Sequence, residues 1–254
     1  MNLAYWPGLG GGTSSFAEVG PVLQARGIAS YVVDPRYGDR TDWDLESLAS
    51  ELIATGADAY AYVGHSWGAA IAARAAVREP PAALVLLDGG FISPSEFALF
   101  GAKPTLDERV AEIREEHARY RWPTREAYLE FARSESTRWN ATIEADALES
   151  MRYEDGEVLP PFDADELELI VRGYERYDAP STLSALPADV RVLLVAATPP
   201  PERADGHADL LERFQDLVPR GDVRQVESGH DVIWGLGPAL GELIADWLFA
   251  EVRA

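Results

Sequence analysis

The sequence predicts an α/β fold, a mostly parallel sheet of about six strands that carries a helical insertion. Three observations lead there. Short runs rich in Val, Leu, Ile, Ala and Tyr alternate with helical patterns, as in sheets built from strand–helix crossovers. The runs are continuously apolar rather than alternating, which suits strands covered on both faces. One interval of about 95 residues breaks the rhythm and holds only helical patterns.

The expected strands are Asn2–Trp6, Ile28–Val33, Ala59–Val63, Ala83–Leu87, Val190–Ala197 and Val223–Glu227. Between them the spacing predicts crossover helices over Ser15–Arg26, Asp44–Thr55, Ser66–Arg78 and Asp205–Leu217, with Gly237–Val252 closing the chain. Right-handed crossovers then bring the C-terminal ends of all strands to one edge. Residues 1–90 and 186–254 make this core, and residues 91–185 make the insertion. Helices are expected there over Leu106–Arg119, Arg125–Ser136, Ile143–Ser150 and Ala164–Tyr177, with no buried strand. The interval holds 12 of the 25 aromatic residues, among them Phe97, Phe100, Trp122, Tyr128, Trp139, Tyr153 and Phe162. An insertion of this length and composition reads as a lid or cap, although most of these rings also serve its own small core.

Composition narrows the partners. With 254 residues, 43 acidic against 22 basic side chains and a formal charge of −21, the surface repels phosphate backbones and anionic headgroups. Nucleic acid and membrane are therefore not expected as partners, and a small-molecule substrate is. The absence of cysteine excludes disulfides, thiolate metal sites and a cysteine nucleophile. No apolar stretch approaches a membrane span, and the N-terminal residues lack a signal pattern, so a cytoplasmic protein is expected.

Three local patterns carry chemistry. Gly64-His65-Ser66-Trp67-Gly68 follows an apolar strand and opens an alanine-rich helix. A turn that sharp strains Ser66, and the flanking glycines remove side chains that would clash. The hydroxyl then projects above the sheet at the positive end of a helix dipole. A serine needs a base to take its proton, and His230, in Ser228-Gly229-His230-Asp231 just after the last strand, stands on the same sheet edge. The other histidines are weaker candidates: His65 should point away from Ser66, His117 lies on a charged helix and His207 sits in a polar loop. The third pattern, Trp6-Pro7-Gly8-Leu9-Gly10-Gly11-Gly12, follows the first strand. The backbone amides of Leu9 and Trp67 are the expected donors to a developing oxyanion. Gly8-Leu9-Gly10-Gly11-Gly12-Thr13 falls short of a dinucleotide fingerprint, and Glu115-Glu116-His117 lacks zinc-ligand spacing, so neither cofactor nor metal is expected.

These segments, with Val-Asp-Pro-Arg-Tyr-Gly-Asp at 33–39 and Leu-Val-Leu-Leu-Asp-Gly-Gly at 84–90, resemble the α/β-hydrolase superfamily over essentially the whole chain. The order, nucleophile first and histidine last, matches too. Pro7-Gly8 stands where members often carry His-Gly, and the first strand lacks the hairpin that often precedes it, which implies a trimmed sheet. The resemblance places the acid after the penultimate strand, where Glu202 falls near the usual spacing from His230. In a minority of members it follows the strand after the nucleophile helix, where Asp88 stands. Asp205, or no acid at all, are the remaining alternatives. The implied activity is cleavage of a carboxylic ester, lactone or thioester through an acyl-enzyme on Ser66. A cofactor-free lyase or a non-catalytic ligand binder on the same scaffold are the competing readings.

Overall fold

The computed structural model describes residues 1–96, 105–200 and 204–250. Among them, six parallel strands form the main sheet: β1 (Asn2–Trp6), β2 (Ala29–Val32), β3 (Ala61–His65), β4 (Ala83–Leu87), β7 (Arg191–Ala197) and β8 (Gly221–Val226). Their order is β2-β1-β3-β4-β7-β8, and every neighbouring pair is parallel.

The four inner strands are buried along nearly their whole length, so alternate residues feed two cores. Ala4, Trp6, Tyr62, Leu84, Leu86, Val192 and Leu194 face one layer, with α2 (Leu45–Thr55), α3 (Trp67–Arg78) and α9 (Ala204–Leu217). Leu3, Tyr5, Val63, Val85, Leu87, Leu193 and Val195 face the other, with α1 (Val19–Ala25), α10 (Val232–Leu236) and α11 (Pro238–Phe249). This two-sided burial is the reason the inner strands read as unbroken apolar runs. The edge strands differ: β2 and β8 are only half covered, and β8 carries Asp222, Arg224 and Gln225.

Between β4 and β7 the chain forms α4 (Leu106–His117), α5 (Arg125–Glu135), α6 (Ala141–Glu149), α7 (Ala164–Tyr174) and α8 (Ala179–Ser184). Side-chain caps start several of them: Thr105 closes a capping box with Glu108, and Asn140 and Asp163 each accept from the first turn of the helix that follows. The expectation of helices alone is corrected by a short hairpin, β5 (Arg152–Glu154) paired with β6 (Glu157–Leu159). Asp155 and Gly156 form its turn, both at positive φ, the two-residue geometry that matches strand twist. Three-residue strands are too short to show as periodicity. The predicted aromatics divide as expected in part: Tyr128 is buried in a small core of the insertion, with Trp122 and Trp139 packed against it, whereas Phe162 joins the main core and Tyr153 is exposed. Phe97 and Phe100 lie outside the described residues, as does the end of the last predicted helix at Val252. No helix among the described residues is long and apolar enough to cross a membrane.

Candidate active site

Ser66 sits between β3 and α3 with φ +52° and ψ −120°, a left-handed conformation that is costly for a serine and is held by its surroundings. Its N–H donates to the Leu87 carbonyl at 2.8 Å, extending the β3–β4 ladder by one rung into the turn. Asp88 continues β4 in the same way, its N–H donating to the Val195 carbonyl at 2.7 Å, and it too has positive φ, at +43°. Gly89 follows because no side chain fits: a Cβ there would stand 2.2 Å from the Ser66 carbonyl oxygen. Two strained residues at adjacent strand ends thus interlock.

Ser66 Oγ lies 2.7 Å from His230 Nε2. On the opposite side of the ring, His230 Nδ1 lies 2.6 Å from Asp88 Oδ2, and Asp88 Oδ1 accepts from the Ala197 N–H at 2.8 Å. With Asp88 Oδ2 as its acceptor, Nδ1 carries the ring proton and Nε2 is left as the acceptor for the serine hydroxyl. The Asp88 hydrogen bond, outweighing desolvation, raises the His230 pKa above the ordinary histidine value. Of the described acidic candidates, Asp88 is the one in contact with the imidazole. Asp205 lies in the first turn of α9, and Glu202 lies outside the described residues.

Leu9 and Trp67 both line the cavity that contains Ser66. Trp67 is the first residue of α3, where an N–H has no carbonyl behind it in the helix. The loop carrying Leu9 is braced on each side: Gly11 N–H donates to the Gly8 carbonyl at 3.0 Å, and Gly10 N–H to the Tyr37 hydroxyl at 3.0 Å.

His65 links two loops of the site. Its Nε2–H donates to the His230 carbonyl at 3.0 Å, and a Cβ on Gly8 would meet its Nδ1 at 2.6 Å. One buried imidazole therefore separates the glycine loop from the His230 loop. Burial, the largest influence, lowers its pKa, so it acts as a neutral ring. His117 bonds the Phe162 carbonyl within the insertion at 3.0 Å.

The cavity has a volume of about 770 Å³, room for a substrate of drug-like size. Its floor is the sheet edge at Ser66, Asp88 and His230; its walls include Ile113 of α4 and Ile170, Val171 and Tyr174 of α7, all from the insertion. Arg109 and Glu175, ion-paired across α4 and the end of α7, also line it. His207 corrects a sequence expectation. It is no polar-loop residue: it lies on α9, is 7% exposed and lines the same cavity. The signal was available, because His207, Leu210, Leu211 and Phe214 are spaced as one buried helix face.

A strained serine between strand and helix, bonded to a histidine on the last strand's loop of a parallel sheet, defines an α/β enzyme of the hydrolase class. The sequence profile of the alpha/beta hydrolase family matches residues 4–239, and the chain belongs to that family. Among solved structures, E-2-(acetamidomethylene)succinate hydrolase is similar at a TM-score of 0.73 and 19% identity, covering 100% of this chain and 92% of that one. An M. tuberculosis esterase is similar at 0.69 and 21%, covering 97% and 84%. The thioesterase domain from the curacin biosynthetic pathway is similar at 0.65 and 17%, covering 96% and 90%. A search of curated proteins finds no significant match.

Proposed function

We propose that the protein is a serine hydrolase that cleaves a carboxylic ester, lactone or thioester of a small to medium, partly apolar substrate. The observation that carries this reading is the unbroken hydrogen-bond chain from Ser66 Oγ through His230 to Asp88, opening into a cavity walled largely by apolar side chains. The esterase and the thioesterase domain among the structural relatives are in keeping with it.

In this mechanism Ser66 Oγ attacks the carbonyl carbon while His230 Nε2 takes the hydroxyl proton. The carbonyl oxygen becomes an oxyanion, held by the backbone N–H groups of Leu9 and Trp67; each such donor is worth about 3 kcal/mol in the transition state. Asp88 fixes the imidazole tautomer and stabilises the imidazolium. The C–O or C–S bond then breaks, and Nε2–H protonates the departing alcohol or thiol. Water, deprotonated by the same nitrogen, attacks the acyl-enzyme, and the acid leaves with Ser66 restored. Residues 91–185 act as a cap over this chemistry, and the charge of −21 disfavours polyanionic substrates.

Intact-mass labelling with a fluorophosphonate tests the reading without a guess at the substrate. One stoichiometric adduct is expected, absent in Ser66→Ala and slowed in His230→Ala and Asp88→Asn, while Glu202→Gln labels as the parent does. No adduct on folded protein would overturn it.

A further inference from the structure

The cavity contains a second imidazole that the proposed acyl transfer does not use. His207 projects from α9 into the cavity wall, where its ring meets Phe91 edge-on, 5.8 Å between centroids and at 90°. That contact fixes the ring's orientation. Its Nδ1 is enclosed without any hydrogen-bond partner, and no described residue bonds to either nitrogen. An imidazole is an expensive group to bury in this way; a Leu or Phe would complete the α9 face with Leu210, Leu211 and Phe214 at no polar cost. Burial lowers its pKa and favours the neutral ring.

The tautomer follows from the enclosure. A sealed N–H without an acceptor is the costlier of the two arrangements, so the proton belongs on Nε2, the nitrogen left for a ligand. Phe91 packs against the ring, and Ile92, Ile113, Ile170 and Val171 give the same cavity much of its apolar lining. A donor with no partner of its own in a largely apolar cavity orients a ligand rather than merely binding it.

We infer that His207 is a specificity-determining residue, whose imidazole N–H hydrogen-bonds an acceptor oxygen of the substrate other than that of the scissile carbonyl. The substrate class is then an ester or thioester whose acyl part is apolar but carries one keto, ether or hydroxyl oxygen. This deepens the serine-hydrolase reading and rests on it for the reaction. A plain hydrocarbon chain leaves the imidazole unpaired, which is the strongest way a pocket rejects an analogue lacking a polar group.

The test uses paired aryl esters of equal chain length, one with an unsubstituted acyl chain and one ending in an acetyl group, from valerate and levulinate upward. For at least one length the parent should prefer the keto chain by about tenfold in kcat/KM. His207→Phe should abolish that preference, and His207→Gln, which keeps a donor, should retain most of it. A parent without preference at any length, or a preference that survives in His207→Phe, overturns the proposal. A second arm needs no turnover: Ser66→Ala and Ser66→Ala/His207→Phe are titrated calorimetrically with the methyl ketones of the same chains. Tighter binding of the diketone that depends on His207 supports the proposal even if no ester is cleaved, a result that would overturn only the acyl-transfer reading. Equal binding of both ketones to the two proteins overturns the role of His207 alone.

Discussion

Asp88 bridges two structures at once: Oδ2 holds His230 Nδ1 at 2.6 Å while Oδ1 accepts the Ala197 N–H at 2.8 Å. The carboxylate at the end of β4 is thereby locked to the end of β7, and the imidazole of a third element is oriented by it. Asn is tolerated at positive φ and keeps an oxygen for the Ala197 amide, so Asp88→Asn should fold. It should nevertheless lose about a thousandfold in kcat/KM, because an amide no longer holds the tautomer or stabilises the imidazolium. Steady-state kinetics, with circular dichroism as the folding control, checks both halves.

The raised pKa of His230 should set the acid limb of the rate profile. In the proposed mechanism the neutral ring is the base, so activity should fall as pH drops through a value above the usual 6.5 of histidine. Asp88→Asn removes the main cause of the shift and should move the limb toward lower pH. The stability linkage has its own sign: the charged ring is favoured in the folded protein, so this contribution is full below the unfolded value and is lost as pH rises through the folded one. A profile of kcat/KM against pH for parent and variant reads the first effect, and an unmoved limb would refute it.

His65 carries the opposite shift. Its folded pKa is depressed by burial, so the unfolded chain binds the proton more readily and stability falls as pH drops below about 6.5. In His65→Gln the melting temperature should therefore decline less between about pH 7 and 5 than in the parent. The variant should also label with fluorophosphonate about tenfold more slowly, since the imidazole that ties the His230 carbonyl to the glycine loop is gone.

Asp146 fastens the insertion to the core. On α6, it accepts from Ser14 Oγ at 2.6 Å and from Trp234 Nε1 at 2.7 Å, the latter three residues after Asp231. Burial pushes its carboxyl up to about 6, against those two hydrogen bonds, and the neighbouring Asp231 and Glu149 add to the rise. The sign is that protonation favours the fold: stability from this group is full below the unfolded value of about 3.8 and lost as pH rises through about 6. The shift amounts to about 3 kcal/mol. Thermal melts of parent and Asp146→Asn should accordingly differ most in the parent's favour near pH 4, and that advantage should shrink by pH 7. A constant difference would refute the coupling.

Much of the site was legible because local chemistry is written in adjacent residues. Gly64 to Gly68 encode a strand-to-helix turn in five positions, and the loop after β1 encodes exposed amides by its glycines alone. Inner strands were legible as unbroken apolar runs; the edge strand β8 was harder, because none of its residues is fully buried and polar side chains interrupt it. The hairpin at Arg152–Leu159 left no pattern, since three residues per strand do not make a period.

His65 and His207 show where local reading stops. Both were assigned by their immediate neighbours, and both owe their surroundings to segments far away in the chain: His65 to Gly8 and His230, His207 to Phe91 and the insertion. The same holds for the partner of His230. Acidic residues after β4 and after β7 are equivalent in sequence, and only the parallel pairing of those two strands brings Asp88 under the imidazole. The sequence alone was enough for the kinds of element and the types of reactive group, because propensity, burial and turn chemistry act over a few residues. Which groups touch, and with what proton affinities, was decided by the folded sheet, because distance and dielectric belong to the assembled chain.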